Sequence, residues 1–229
     1  MAGQAYDPSV TPPLKDRAAL TRLGEQVRKR LSADPGAYRV DTDRAEIWAI
    51  PDFLSSAECD RFITLVDEVA RPSSIYDTAD QAGFRTSYSG DVDRVDPFVR
   101  MIDRRIDDLL GIQPAFGEAV QGQRYTAGQE FKPHVDWFWT LAPYWPEEER
   151  RGGQRSWTAM AYLCEVTEGG RTDFVRLGIS IPPQRGLLLV WNNAAPDGSP
   201  NWDTMHAAQP VLQGSKYVIT KWYRTRAWG

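Results

Sequence analysis

The second half of the chain is a succession of short apolar runs, and this pattern constrains the fold more than any other feature of the sequence. Beyond Gln113 the runs are separated by Gly and Pro rather than by stretches of helical periodicity. Many short strands of this kind are typical of an all-β barrel or sandwich. The predicted strands cover residues 119–126, 131–138, 156–166, 171–175, 179–181, 186–192, 203–211 and 216–225.

The last of these strands alternates over its whole length. Because successive side chains of a strand point to opposite faces, one face carries Lys216, Val218, Thr220, Trp222 and Arg224. The pattern therefore predicts that Lys216 and Trp222 face the same cavity.

The first half of the chain predicts helices that pack against this sheet. Apolar residues recur at helical spacing over residues 16–32. Ser55-Ser-Ala-Glu58 forms a capping box ahead of a helix that runs to about Arg71. Asp96-Pro97 starts a third helix. Residues 38–50 are predicted to be extended.

A single domain accounts for nearly the whole chain. Residues 1–14, which contain Pro8, Pro12 and Pro13, are predicted to be a flexible arm. The domain then covers residues 15–229, with helical support over 15–112 and a β core over about 113–226.

Both of the chain's two histidines fall in stretches typical of a metal site. Residues i and i+2 of a strand point to one face, so His134 and Asp136 can bind one cation, with His206 as the third ligand. Two imidazoles and one carboxylate form the facial arrangement of non-haem Fe(II) oxygenases, which leaves positions open for O2 and a co-substrate. The same ligands also suit zinc, so a zinc hydrolase is an alternative. Lys216 and the lack of an evident general base disfavour it.

The overall charge gives no reason to expect a polyanionic partner. The formal net charge is −4 and the sequence pI is about 5.3, which predicts attraction neither to nucleic acid nor to an anionic membrane. The sequence shows no secretory signal and no run long enough to span a membrane. We therefore expect a cytoplasmic protein, and the sequence does not predict its oligomeric state.

With these features together, the chain resembles the iron- and 2-oxoglutarate-dependent dioxygenases, and specifically the catalytic domain of prolyl 4-hydroxylases. The resemblance covers roughly residues 45–226. The matching pieces are Arg85-Thr-Ser, Arg124-Tyr, His134-x-Asp136, Gly152-Gly-Gln-Arg155, Gly169-Gly-x-Thr-x-Phe174, His206-Ala-Ala-x-Pro-Val-Leu-x-Gly-x-Lys216 and Lys221-Trp222. The family fold is a double-stranded β-helix (jelly roll, cupin-like) with flanking helices, a mainly β fold of the α+β class.

The resemblance implies a role for each matched residue around the metal. His134, Asp136 and His206 would be the iron ligands. Lys216 would pair with the distal carboxylate of 2-oxoglutarate, and Tyr125 and Thr172 would form hydrogen bonds to it. A dicarboxylate inside a barrel needs a buried cation, and a buried lysine without a partner would be costly.

The resemblance also implies a substrate groove. Arg85, Arg155 and Trp222 match positions that line the peptide groove of the family, and Arg85 lies in the Gly-bounded stretch 82–90, which suits a mobile lid. The aromatic stretch from Trp137 to Trp145 follows the metal ligands directly. Trp137 is therefore a further candidate substrate contact, in a hydrophobic rim over the metal, although the stretch could equally serve as packing.

The reaction implied is hydroxylation of an unactivated C–H bond, with a peptidyl proline as substrate. The cofactor would be Fe(2+), the co-substrates 2-oxoglutarate and O2, and the reductant ascorbate. The presence of the carboxylate of Asp136 favours hydroxylation over halogenation. The Trp-rich segment after Asp136, and Val175 where a proline commonly follows the Gly-Gly motif, depart from the family pattern. They leave the identity of the substrate open, with the same chemistry on a small molecule such as a free amino acid or natural product as an alternative. A 2-oxoglutarate sensor with little turnover is a further alternative.

Overall fold

The computed structural model describes residues 14–73 and 83–229, with side chains from Asp16 onward. The arm predicted for residues 1–14 lies outside this range except for its last residue. The lid predicted for residues 82–90 is described from Gly83.

The described residues form four α-helices: α1 (Leu14–Ala33), α2 (Ser56–Val69), α3 (Pro97–Leu110) and the short α4 (Trp145–Arg150). The predicted capping box precedes α2, since the Ser55 side chain accepts from the backbone N–H of Glu58 while the Glu58 carboxylate accepts from that of Ser55. The Asp96 side chain caps α3 by accepting hydrogen bonds from the backbone N–H groups of Phe98 and Val99. The three predicted helices are thus confirmed. None of the four has the length and apolar character needed to cross a membrane.

The strands are short and numerous, as the sequence predicts. In chain order they are β1 (Tyr38–Arg39), β2 (Ile47–Ile50), β3 (Arg71–Pro72), β4 (Tyr88–Asp91), β5 (Gln121–Tyr125), β6 (Phe131–His134), β7 (Arg155–Tyr162), β8 (Glu168–Gly169), β9 (Thr172–Phe174), β10 (Ile179–Ile181), β11 (Leu188–Asn192), β12 (His206–Ala208), β13 (Val211–Gln213) and β14 (Lys216–Arg224).

The strands assemble into two main sheets with a cavity between them. The larger sheet has eight strands in the order β1-β2-β11-β7-β14-β5-β4-β3, and the smaller has four in the order β10-β9-β12-β6. All neighbouring strands in both sheets are antiparallel. Side chains of β5, β7, β11 and β14 on one side, and of β6, β9 and β12 on the other, line the same cavity.

The helices cover the face of the larger sheet that points away from this cavity. On β14 the residues that alternate with the cavity-lining ones, Ile219 and Tyr223, lie in one apolar cluster with side chains of α1, α2 and α3. The contact between α2 and β5 is close because Gly122 has no side chain. A Cβ at that position would lie 2.4 Å from Cγ2 of Val66. The helices therefore fix the position of β5 and β14, which carry much of the cavity wall.

Two strand predictions are corrected by the structure. The strand predicted over 131–138 ends at His134, and Asp136 lies in a bend beyond it. The chain leaves the sheet there because Val135 and Trp137 pack against Leu20 of α1. The strand predicted over 203–211 is divided between a short 3-10 turn, β12 and the start of β13. Pro210 lies at the break between β12 and β13, because proline cannot donate a ladder hydrogen bond.

The first half of the chain also contributes strands to the sheet. Strands β1 and β2 lie within the segment predicted to be extended, and β3 and β4 were not predicted. All four extend the eight-stranded sheet at its two ends. The architecture predicted, mainly β with flanking helices, is confirmed.

Candidate active site

The three predicted metal ligands converge at one side of the cavity. His134 on β6 and His206 on β12 are direct partners in the antiparallel ladder. Asp136 turns back from the bend after β6, so that its Oδ2 lies 3.8 Å from Nε2 of His206. One donor atom from each of the three residues lies within 4.8 Å of the others, and among the described residues this is the one such cluster able to hold a metal.

Backbone carbonyl groups orient both imidazoles toward a common point. Nδ1 of His134 lies 2.8 Å from the carbonyl oxygen of Lys132, and Nδ1 of His206 lies 3.0 Å from that of Thr204. A carbonyl oxygen only accepts, so each Nδ1 carries the proton and each Nε2 keeps its lone pair for a metal. Desolvation in the cavity and the neighbouring His206 lower the pKa of His134 to about 3. The ring is therefore neutral at physiological pH, as a ligand must be.

The carboxylate of Asp136 is buried and held by a hydroxyl group. Its Oδ2 accepts a hydrogen bond of 2.9 Å from Oγ1 of Thr158, and a guanidinium nitrogen of Arg155 lies 3.9 Å from its Oδ1. Burial opposes ionisation, but His206, His134 and Arg155 together keep the pKa of Asp136 below its ordinary value. The carboxylate is thus ionised and ready to bind a cation.

Lys216 supplies a buried ammonium group on the wall of the same cavity. Its side chain is 1 % exposed, and its Nζ donates a hydrogen bond of 3.3 Å to Oγ1 of Thr172. The rings of Tyr125 and Tyr162 each lie 5.5 Å from Nζ. Burial lowers the pKa of Lys216 from 10.5 to about 7. A neutral hydroxyl and two aromatic faces do not neutralise an ammonium group, so the cavity is suited to an anionic ligand at this point.

Tyr125 and Thr172 lie beside Lys216, as the sequence predicts. Tyr125 faces Lys216 across the β5–β14 ladder, and its hydroxyl donates a hydrogen bond of 2.9 Å to Oε1 of Gln123. Thr172 also accepts a hydrogen bond of 2.6 Å from the hydroxyl of Tyr162. Both residues line the cavity. The residues present therefore fit a carboxylate held by an ammonium group with hydroxyl groups beside it.

The four candidate substrate contacts fall into different environments. Arg85 lines the cavity and donates hydrogen bonds to Ser87 and Gln121. Trp222 also lines the cavity, and its ring lies 4.0 Å from the guanidinium of Arg155. Arg155 in turn forms a bidentate pair with Glu118, at 2.7 and 2.8 Å. The structure thus brings these three candidates together near the metal ligands.

Trp137 does not join them. It is 6 % exposed and packs in a separate cluster with Leu20 of α1 and Trp202. Trp139 stacks on Trp202 with ring centroids 5.1 Å apart, and α4 follows at Trp145. This part of the aromatic stretch attaches α1 to the loop after the candidate metal ligands, and these contacts favour the packing interpretation of Trp137.

The cavity wall also contains residues that the sequence interpretation did not select as site residues: Gln123, Phe131, Met160, Trp191, Ala208, Val218 and Thr220. Gln123 could have been found by counting two residues back from Tyr125 on the same strand face. Thr220 was placed on the correct face of the last strand but given no role. Trp191 had no such signal, because it ends an unbroken apolar run from Leu187 to Trp191.

Comparison with known families agrees with this geometry. Residues 120–224 match the family model described as the 2OG-Fe(II) oxygenase superfamily, a range that includes the three candidate ligands and Lys216. The chain is 31 % identical over 201 residues to prolyl 4-hydroxylase subunit alpha-1 of Rattus norvegicus, covering 84 % of this chain and 37 % of that protein. Prolyl 4-hydroxylase subunit alpha-3 of Rattus norvegicus is 35 % identical, over 75 % of this chain and 32 % of its own length. The chain thus spans about a third of the length of these curated relatives.

A solved structure gives the same result for the fold. The viral collagen prolyl hydroxylase of Paramecium Bursaria Chlorella virus-1, determined as its 2OG complex, is similar with a TM-score of 0.61 and 27 % identity. The match covers 77 % of this chain and 94 % of the viral one. The predicted double-stranded β-helix is thereby confirmed. The facing sheets, the two histidines and the aspartate between them, and the motif match together show that this chain belongs to the 2OG-Fe(II) oxygenase superfamily and is related to its prolyl 4-hydroxylases.

Proposed function

We propose that the chain is an Fe(II)- and 2-oxoglutarate-dependent dioxygenase that hydroxylates proline in a peptide or protein. The observation that carries this proposal is that one cavity contains both a candidate metal site and a buried ammonium group. His134, Asp136 and His206 form a three-ligand metal cluster, and the buried ammonium of Lys216 lies on the wall of the same cavity. A zinc hydrolase has no need for such an ammonium group, whereas a keto diacid bound at the metal does.

Each residue has a defined task in this proposal. The two imidazoles and the carboxylate hold iron through three ligands, and iron with 2-oxoglutarate and O2 supplies an oxidant for an unactivated C–H bond. Lys216, with Thr172 and Tyr125 beside it, holds the distal carboxylate of the co-substrate. Because Lys216 and Tyr125 lie on strands of the larger sheet, which the helices support, they can orient the co-substrate without large rearrangement.

Arg85 and Trp222 are the proposed contacts for the substrate. Both line the cavity. The guanidinium of Arg85 lies 4.9 Å from the ring of Phe131, and Phe131 stacks on His134 with centroids 3.6 Å apart. The Arg85 side chain is thereby joined to a metal ligand through one aromatic ring. Arg155, tied to Glu118, is proposed to support Trp222 and Asp136 at the edge of the substrate site.

The direct test is mass spectrometry of proline-containing peptides after incubation with the protein, Fe(II), 2-oxoglutarate and ascorbate. We expect a gain of one oxygen on proline, with succinate formed in step, and neither product with His134→Ala. Free proline and other free amino acids belong in the same panel, because oxidation of these alone would favour the small-molecule alternative. Succinate without any oxidised product across the panel would contradict peptidyl proline as the substrate.

The same incubation addresses the sensor alternative and the reductant. Substrate-free decarboxylation of 2-oxoglutarate by the wild type, absent in His134→Ala, would exclude a sensor without turnover. Ascorbate is proposed as the reductant, and its omission is expected to shorten the linear phase of turnover. The cytoplasmic location remains a prediction from the sequence.

A further inference from the structure

The metal-ligand carboxylate is connected to a side chain on a third strand through a single hydroxyl group. Thr158 on β7 donates to Oδ2 of Asp136 over 2.9 Å. The Oγ1 of Thr158 itself lies 2.9 Å from Nδ2 of Asn193, the residue after β11. Thr158 is 0 % exposed and Asn193 2 % exposed, so both hydrogen bonds are shielded from water.

The direction of both hydrogen bonds follows from the chemistry of the groups. A hydroxyl group has one proton, and an ionised carboxylate only accepts. An amide NH2 at Asn193 occupies a lone pair of the Thr158 oxygen and leaves the Thr158 proton for Asp136. If the amide presented its oxygen instead, that oxygen would compete with the Asp136 carboxylate for the single proton of Thr158. In the orientation present, Oδ1 of Asn193 is the buried acceptor that has no hydrogen-bond partner, and Asp136 keeps its donor.

The backbone holds this arrangement in place. The N–H of Asn193 donates to the carbonyl of Ser156 over 2.8 Å, and its carbonyl accepts from Asn201 over 3.0 Å. Thr158 lies opposite Trp191 on one side and Trp222 on the other in the eight-stranded sheet. Asp136, by contrast, lies in a bend outside the ladder of β6, so strand pairing does not set the orientation of its carboxylate.

We propose that Thr158 and Asn193 are positioning residues that hold the carboxylate of Asp136 in the orientation needed to bind the metal. This inference rests on the metal site of the proposed function. Thr158 acts on Asp136 directly, and Asn193 acts through Thr158. Partners of this kind typically change metal affinity by about 10- to 100-fold when removed, although neither residue is itself a ligand.

The test is titration of the metal-free full-length protein with Co²⁺, followed by calorimetry and by the visible absorption of the bound ion. Thr158→Val removes the hydroxyl at nearly constant volume, and Thr158→Ser keeps it. We expect Val to weaken Co²⁺ binding by about 10- to 100-fold and to alter the absorption spectrum. We expect Ser to remain within about 3-fold of the wild type, since it retains the donor.

A double-mutant cycle separates positioning from mere structural support. Asn193→Leu is expected to weaken Co²⁺ binding less than Thr158→Val does, and to add nothing in the Thr158→Val background, because its effect passes through the hydroxyl. Unfolding of the metal-free variants is measured in parallel. A loss of stability without a change in Co²⁺ affinity or spectrum would overturn the proposal and leave a structural role only.

The outcomes also separate this inference from the proposed function. If wild-type protein binds Co²⁺ and Thr158→Val binds it equally well, the positioning role of Thr158 and Asn193 is refuted while the metal site stands. If Thr158→Val and Thr158→Ser weaken Co²⁺ binding equally, the positioning role is refuted as well. The same holds if the effects of Thr158→Val and Asn193→Leu on Co²⁺ binding are additive. Failure of the wild type to bind Co²⁺ at all would refute the metal site and the positioning role together.

Discussion

Replacing Lys216 by Met is expected to have opposite effects on the stability of the ligand-free protein and on its affinity for 2-oxoglutarate. Met keeps a long apolar side chain but removes the ammonium group. Burial lowers the pKa of Lys216 from 10.5 to about 7. A difference of this size corresponds to about 5 kcal/mol that the ligand-free fold loses by keeping the group charged. On the proposed function, the wild type gives up this stability for a group that binds the distal carboxylate of 2-oxoglutarate.

The sign of the pH dependence follows from this lowered pKa. Below pH 7 the lysine is charged in both the folded and the unfolded state, and the folded protein bears the full cost. Between pH 7 and 10.5 the folded protein binds fewer protons than the unfolded chain, so the cost falls as the pH rises and vanishes above 10.5. Lys216→Met should therefore be more stable than the wild type at pH 6, and the difference should shrink at pH 9.

Binding of 2-oxoglutarate should change in the other direction. Removing one partner of a buried charge pair costs about 2–5 kcal/mol, which is about 30- to 4,000-fold in affinity. The assays are urea denaturation without ligand at pH 6, 7.5 and 9, and calorimetric titration of the Co²⁺-loaded protein with 2-oxoglutarate. Lys216→Arg is the control that keeps a cation. A Met variant that is less stable than the wild type at pH 6 and binds 2-oxoglutarate equally well would refute the reasoning.

Three further predictions concern other parts of the structure. Lys221→Met should destabilise the protein by about 3–5 kcal/mol, since Asp107, 2.6 Å from Nζ of Lys221, would remain buried without its cation. Urea denaturation measures this loss of stability, and an unchanged midpoint would contradict the prediction. Ser55→Ala should remove the α2 cap at a cost of about 1 kcal/mol, with Ser56→Ala as the matched control and equal effects of the two as the contrary result. Arg85→Leu should raise the KM for a peptide substrate while the Kd for 2-oxoglutarate measured by calorimetry stays constant, and a parallel loss of both would place Arg85 in the co-substrate site instead.

The sequence predicted three candidate metal ligands that the structure brings together, because such a set depends on residue type and order more than on exact secondary structure. The strand predicted over 131–138 is too long, and Asp136 does not share a strand with His134. The aspartate still reaches the metal position, because the bend that carries it is fixed by packing against α1. Such packing joins residues more than a hundred positions apart in the sequence, so no local sequence pattern predicts it.

Other parts of the site required the three-dimensional arrangement. The role of Trp137 depended on what lies opposite the aromatic stretch, and the answer is a helix from the start of the chain. The pairing of Arg155 with Glu118 joins a motif residue to one that no motif contained. Tyr162 ends the run Ala159-Met-Ala-Tyr of β7, where nothing in the sequence marked it as a site residue, yet its hydroxyl contacts Thr172. Alternation along β14, by contrast, correctly placed Lys216, Val218, Thr220 and Trp222 on the cavity wall.

The direct pairing of His134 with His206 would make a bound metal a cross-link between β6 and β12. In the four-stranded sheet β6 is the terminal strand, and on its other side it pairs with the segment that carries Arg85. A bound ion would thus fasten the outermost strand to its neighbour, and the segment beyond it would be held by that strand. Amide hydrogen exchange at residues 84–86 and at residues 131, 132 and 134 should therefore slow when the protein is loaded with metal, which makes these backbone positions reporters of site occupancy.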